Sequence, residues 1–257
     1  MTSVMTISII TIVYNDVKYI RNTIESVLSQ NYQFIEFIVI DGNSKDGTLE
    51  IINEFQKYIS YFSSEPDSGI YDALNKGIAH STGDIIGFLH SDDVFSNNEV
   101  ISKLAREFSK SHSDVVYADL DYVKQDAIDC VVRHWKSGAF LKSKLKYGWM
   151  PPHPTFYARR DIYKKYGGFN LKYSISSDYD SMLRILTTNN LCISYIPEVF
   201  VRMRVGGTSN KNFVNIVTKS IEDYRVLQAN KIGGVFTILC KNFRKLSQFL
   251  RTRKTPF

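Results

Sequence analysis

Cysteine is scarce in this 257-residue chain, and Cys130, Cys192 and Cys240 stand too far apart for a disulfide framework or a metal-binding spacing. That usage suits a reducing cytoplasm. No apolar run approaches the roughly 20 residues that span a bilayer. No basic segment precedes an apolar core at the N-terminus, so no signal peptide is expected either. Repeats and low-complexity linkers are missing. Acid is missing from residues 231–257, which hold Lys231, Lys241, Arg244, Lys245, Arg251, Arg253 and Lys254. These seven charges exceed the formal net charge of +6, which leaves the rest of the chain at −1. The positive charge is a tail, and the body is not that of a nucleic-acid binder.

What is present is an alternation of strand and helix signals through the first hundred residues. Residues 7–14 (ISIITIVY), 34–40 (FIEFIVI) and 85–89 read as buried strands, and 61–64 as a short one. Helices are expected behind Asp16, with Ile20, Ile24, Val27 and Leu28 at helical spacing, and behind Asp46, with Leu49, Ile52, Phe55 and Ile59. Another is expected over 71–80, and a fourth behind a Ser96–Glu99 capping box, carrying Val100, Leu104 and Phe108. This order predicts an α/β fold with a mostly parallel, doubly wound sheet flanked by helices. Past residue 112 the texture changes. Residues 115–123 and 127–134 flank Gln125-Asp126 as a hairpin, and 150–154 (MPPHP) excludes regular helix or central strand. A helix over 178–188, a strand over 191–204 and a helix over 213–229 are expected to follow.

The stretch 83–95 (GDIIGFLHSDDVF) carries an apolar strand straight into His90, Ser91, Asp92 and Asp93. Ligands of open α/β sheets sit beyond the carboxyl ends of strands, and paired carboxylates there suit Mg²⁺ or Mn²⁺. Taken alone, Ser-Asp-Asp reads more readily as a turn between strand and helix. In 41–48 (DGNSKDGT), Lys45 and Asp46 fall where a calcium loop needs a ligand and a glycine, so that reading fails. A dinucleotide fold fails too, because YNDV follows the first strand in place of a glycine-rich turn. Asp46 is then a helix cap, and Asp41 at the strand end is open to a ligand. Two literal Asp-x-Asp triplets exist, 119–121 and 178–180; Asp119 and Asp121 share one strand face, which reads as solvated more readily than as a cation site.

In order, ISIITIVYND, VIDGNSKDGT, EPDSGIYDALNKGI and GFLHSDDVF, then GGFN and SSDYDSMLRIL, resemble the family 2 glycosyltransferases of the GT-A fold. The resemblance covers roughly residues 6–210 and is strongest to bacterial members that assemble surface polysaccharides such as O-antigen or capsule. It implies a Rossmann-like, mostly parallel sheet with a smaller mixed sheet on the acceptor side and a C-terminal helical tail. Residues 1–112 would form the donor half, 113–210 the acceptor-binding and catalytic half of the same domain, and 211–257 the C-terminal helices. The implied reaction is inverting, metal-dependent transfer from a nucleotide-diphospho-sugar, expected to be a UDP-sugar, to a hydroxyl of a glycan acceptor linked to a lipid diphosphate.

The resemblance also implies roles. Asp41 would accept the imide N–H of the base, Tyr14 and Asn15 would line the nucleotide slot, and Asp67 would lie beside the nucleoside. Asp72 and Asn75 would stand near the donor, Asp92 would contact the ribose or diphosphate, and Asp93 would ligate Mg²⁺ or Mn²⁺. Asp178 would be the catalytic base, with Ser177 where the family usually has Glu. His153 is a candidate contact to acceptor or diphosphate. Arg202 and Arg204 alternate along a strand, so with 206–209 (GGTS) they form either an anion-binding corner or a solvated face. Two rivals remain. A sugar-1-phosphate nucleotidyltransferase would want a basic glycine-rich loop after the first strand, which is missing; a non-catalytic membrane-surface scaffold would keep the fold alone.

In the tail, Ile232, Val235, Phe236, Leu239, Phe243, Leu246 and Leu250 step by three and four. That spacing, with its basic residues mainly opposite, predicts an amphipathic helix over 231–250 on the anionic inner face of the cytoplasmic membrane. An amphipathic helix packed on the body is the plainer alternative.

Overall fold

The computed structural model describes residues 4–206 and 213–249 of the chain, the side chains of 213, 214 and 245–249 excepted. Strand β1 (Ile7–Val13) lies inside a parallel block. On one side it pairs with β2 (Ile35–Asp41), which pairs in turn with β3 (Tyr61–Ser64); on the other it pairs with β4 (Ile85–Phe88). Every residue of β1 is buried because the strand is covered on both faces, which is why its sequence shows no polar alternation. Ile7, Ile9 and Val13 pack with α1 (Ile20–Leu28), α2 (Thr48–Glu54) and α4 (Val100–Ser111). Ile10 and Ile12 pack towards α3 (Ile70–His80), α5 (Arg160–Tyr166) and α6 (Ser177–Leu186). The chain adds β2 and β3 on one side of β1 and β4 on the other, so a crevice opens beyond the carboxyl ends of β1 and β4.

The second half continues the same sheet, joined where β4 pairs antiparallel with β8 (Phe156–Arg159). The order runs on through β6 (Val115–Lys124), β9 (Ile193–Arg204) and β5 (Val94–Phe95), with β7 (Ala127–Trp135) hairpinned onto β6. The mixed strands, expected as a smaller sheet of their own, are thus continuous with the parallel ones. At the joint, a Cβ on Gly87 would come within 2.1 Å of the Tyr157 ring, so the approach of β4 to β8 requires glycine there.

Two expected caps are replaced by longer-range bonds. Ser96 donates its hydroxyl to the Val199 carbonyl (2.5 Å) and its N–H to Phe200 (2.9 Å), because β5 pairs with β9. No capping box forms, and α4 begins after Glu99 without a side-chain cap. Asp16 does not cap α1 with its carboxylate either, which accepts the Ser91 hydroxyl at 2.6 Å.

At the C-terminal end lie α7 (Phe213–Ala229) and α8 (Val235–Phe249). Helix α8 docks on the body: Thr237 donates to the Lys146 carbonyl (2.8 Å), and Lys241 Nζ meets Asp223 at 2.8 Å. A Cβ on Gly148, whose φ is +71, would lie 2.6 Å from the Lys241 backbone. The face that docks is not the apolar stripe, so the plainer alternative of packing by that stripe does not hold. Lys241 points inward, while Val235, Phe236, Leu239 and Phe243 are each more than half exposed. Among the described residues no helix is long and apolar enough to cross a membrane. Residues 207–209 of the expected anion corner, and 250–257 of the tail, lie outside the described residues.

Candidate active site

The loops after β1 and β2 are laced together. Asn15, in the left-handed region at φ 49, turns the chain so that its N–H donates to Ser44 Oγ (2.8 Å) and its Oδ1 accepts the Lys45 N–H (2.8 Å). The N–H of Asp16 donates to Thr48 Oγ1 (2.9 Å) and that of Val17 to Asp46 Oδ2 (3.0 Å). Asp46 also accepts the Thr48 N–H, the first of α2, at 3.1 Å, although Gly47 and not Asp46 stands at the cap position. Asp41 departs from the expectation of a carboxylate presented to a base. It is fully buried and accepts the Ser44 N–H (2.9 Å), the Ser44 hydroxyl (2.5 Å) and the Ser64 hydroxyl (2.7 Å). What reaches the surface here is Tyr14, 66% exposed, and Asp67. A Cβ on Gly42 would lie 2.8 Å from Asp67 Oδ2 and 3.2 Å from the Tyr14 ring, so ring, bare backbone and carboxylate meet at one point. Asp72 accepts the Ser68 N–H (3.0 Å) in the first turn of α3. Asn75, expected near the donor, bonds the Phe169 backbone with both ends of its amide, each at 2.8 Å.

After β4 the chain enters an acidic loop. Asp93 is 1% exposed; burial pushes its carboxyl well up, Asp92 and Asp16 add to that, and the Arg204 N–H at 3.3 Å opposes it. Burial also raises Asp16, against the Ser91 hydroxyl. The two arginines of β9 do not form an open corner. Arg204 is buried, donates to the Asp92 and Gln125 carbonyls and lies over the Tyr19 ring at 4.5 Å. It ties the acidic loop to the β6–β7 turn. Arg202 pairs with Asp129 of β7 at 2.5 Å. The Asp93 carboxyl, whose ionised form burial and the neighbouring Asp92 disfavour, is a hard oxygen ligand whose charge a divalent cation would relieve, so Asp93 with Asp92 beside it fits Mg²⁺ or Mn²⁺. Among the described residues no group of three or more His, Cys, Asp or Glu is gathered closely enough to hold a metal by itself.

Asp178 sits in the first turn of α6, half-buried, with its Oδ1 accepting the Tyr179 N–H (2.8 Å). The Tyr71 hydroxyl lies 3.2 Å from the same oxygen and 2.5 Å from the Ile175 carbonyl. Two imidazoles lie near. His153, in a short 3₁₀ turn (His153–Thr155), is buried, stacks on Phe88 at 5.2 Å and stands 6.0 Å from the His90 ring. Burial brings its pKa down to about 4, Asp178 opposes the shift, and Nε2 has no partner. Burial lowers His90 as well, against Asp92 and Asp178. At neutral pH both rings beside Asp178 are therefore uncharged. Asp180 faces elsewhere and is held by Arg184 (2.9 Å) and Asn230 (3.1 Å). The literal triplet on β6 is not a solvated face: Asp119 is buried and accepts the Ser137 N–H (2.7 Å) and the Tyr195 hydroxyl (2.8 Å), while Asp121 meets His134 at 2.6 Å.

Sequence reasoning left His90 and Tyr71 without roles. His90 stood in view, directly before the acidic pair. Tyr71 reaches Asp178 across 107 positions, which no local pattern reveals.

Carboxylates beyond the ends of a parallel block, an aromatic slot beside them and a helix-start carboxylate nearby form the arrangement of a GT-A glycosyltransferase. The chain belongs to glycosyl transferase family 2, whose model matches residues 8–167. It is 35% identical over 186 residues to an uncharacterized glycosyltransferase of Mycobacterium tuberculosis, covering 72% of this chain and 70% of that one. It is 28% identical over 192 residues to a PGL/p-HBAD biosynthesis glycosyltransferase of Mycobacterium bovis, covering 73% and 72%. In fold it is similar to residues 1–349 of Staphylococcus aureus TarS in complex with UDP-GlcNAc (TM-score 0.70, 21% identity), over 88% of this chain and 65% of that one. The match covers 39% of a longer TarS chain. The mannosyltransferase PcManGT of Pyrobaculum calidifontis, in complex with GDP-Man and Mn²⁺, is similar over 96% of this chain and 72% of its own (TM-score 0.65, 16% identity).

Proposed function

We propose that this glycosyltransferase moves a sugar from a UDP-sugar to a hydroxyl of a lipid-diphosphate-linked glycan, inverting the anomeric centre, at the inner face of the cytoplasmic membrane. The observation that carries the reading is the buried Asp93 beside Asp92 at the end of β4, with Asp178 near enough to act on the same His90. Tyr14 stacks on the base and Asp67 accepts its imide N–H over the bare backbone of Gly42. Asp41 and Asn15 hold the loops that carry this slot. Asp93, with Asp92, would hold a divalent cation. When bound, such an ion would supply charge neutralisation for the departing diphosphate. Asp178 takes the proton of the acceptor hydroxyl, and the uncharged His153 and His90 set no imidazolium against its carboxylate. The UDP-GlcNAc complex of TarS and the Mn²⁺ complex of PcManGT support donor and metal by likeness of fold.

Calorimetric titration with UDP in Mn²⁺ tests the donor slot. The wild type is expected to bind, and Asp67→Asn to bind at least about 10-fold more weakly, the scale of a hydrogen bond to a charged group. No UDP binding by the wild type would leave the scaffold reading, and pyrophosphate release from UTP the nucleotidyltransferase reading.

The membrane part rests on α7 and α8. Phe236, Leu239 and Phe243 of α8, with Val217, Ile221 and Tyr224 of α7, are exposed apolar side chains, and the tail beside them is basic. Anionic headgroups attract basic residues by about 1 kcal/mol each near the surface. The full chain is expected to float with anionic liposomes at low salt, and the exposed pair Phe236→Ser, Phe243→Ser to float far less. A wild type that stays in solution with those liposomes sinks this part of the reading.

A further inference from the structure

The loop ahead of the catalytic helix is held from outside. Helix α6 has no side-chain cap of its own at Ser176, and the N–H groups of 174–176 leading into it find their acceptor on another helix. Glu222 of α7 supplies it. Its Oε1 accepts the Ser174 N–H and the Ser174 hydroxyl, both at 2.8 Å, and its Oε2 accepts the N–H of Ile175 (2.8 Å) and of Ser176 (2.9 Å). Burial pushes the Glu222 carboxyl up, but these donors outweigh it and the group titrates below the usual carboxylate range, so it is ionised at neutral pH.

The neighbouring acid extends the hold. Asp223 accepts the Ser176 hydroxyl (2.9 Å) and the Lys241 ammonium (2.8 Å), and Lys241 Nζ lies 3.4 Å from the centre of the Tyr179 ring. Asp178 therefore sits between two anchored points. Ser176 is fixed by Glu222 and Asp223, and Tyr179 is covered by Lys241. On the far side the Tyr71 hydroxyl reaches the Ile175 carbonyl and Asp178 together.

We propose that Glu222 is a positioning residue for Asp178, that Asp223 and Lys241 complete the clamp, and that the C-terminal helices are thereby part of the catalytic machinery. The inference rests on the reading of Asp178 as the base. Its chemistry is geometric: a carboxylate that removes a proton during transfer must be held within a fraction of an ångström, and a displacement of about 1 Å costs on the order of 100-fold.

The test compares full-length Glu222→Gln, Lys241→Met and Asp178→Asn. The readouts are nucleotide release from a panel of UDP-sugars in Mn²⁺ with water as acceptor, and amide exchange. Glu222→Gln puts an NH₂ against at least one backbone N–H donor, whichever way the amide turns. It is expected to lower the maximal rate roughly 10- to 100-fold, leave the half-saturating donor concentration within about 2-fold and speed exchange at residues 174–176. Lys241→Met leaves every Glu222 bond in place. It is expected to lower the maximal rate at least about 3-fold, and it decides the matter if Glu222→Gln does not fold. A wild-type maximal rate in either folded variant, beside a slow Asp178→Asn, overturns the clamp. A wild-type rate in Asp178→Asn overturns the base assignment itself, and the two failures are thus distinct.

Discussion

Asp178→Asn is expected to bind donor and Mn²⁺ as the wild type does and to transfer sugar at least about 100-fold more slowly, the usual scale for losing a general base. The carboxylate is half-buried, beside the Tyr71 hydroxyl and two uncharged imidazoles, and the substitution keeps its shape and the Tyr179 N–H bond. Proton acceptance is removed together with the negative charge, and the packing stays. Asp180→Asn supplies the contrast. That carboxylate is buried and bonded to Arg184 and Asn230, so its loss is expected to lower melting temperature and to leave donor affinity in place. Equal losses of rate at the two positions in equally stable proteins would assign the base to the wrong carboxylate.

Asp93→Asn is expected to abolish transfer and the Mn²⁺-dependent part of UDP affinity while the fold survives. The carboxyl is buried against Asp92 and Asp16, so removing its charge relieves repulsion within the loop. Stability is accordingly expected to hold or rise as metal binding is lost. Activity loss with unchanged Mn²⁺-dependent affinity would move the metal site elsewhere. Asp119 with Asp121 is an unpromising second choice, since Ser137, Tyr195 and His134 already engage them.

The parallel half was legible because burial on both faces leaves a plain mark: β1, β2 and β4 are short apolar runs that end in polar residues at the crevice. The order of the motifs pointed to Asp93 and Asp178 as parts of one candidate site, and in the fold both carboxyls act on the buried Tyr122. The fates of single side chains were less visible, because each was decided by a partner far along the chain. Asp41 is occupied partly by Ser64, 23 positions on, and Asn75 by Phe169, 94 positions on. Arg204 shares a strand face with Arg202 by periodicity, but the acidic loop and the β6–β7 turn draw it inward, 112 positions from Asp92. The tail shows the same limit at the scale of a helix. Its apolar stripe is real, but Gly148, Lys146 and Asp223 offer a docking surface that fits the opposite side.

The central claim is transfer from a nucleotide-diphospho-sugar, and a donor screen tests it most directly. The full-length protein is incubated with Mn²⁺, a panel of nucleotide sugars and a lipid-diphosphate-linked glycan, and released nucleotide and glycoside product are both measured. UDP released in step with a glycoside of inverted anomeric configuration, from one UDP-sugar above the others, is the predicted result. Release from no donor, or formation of pyrophosphate from UTP and a sugar 1-phosphate, would contradict it.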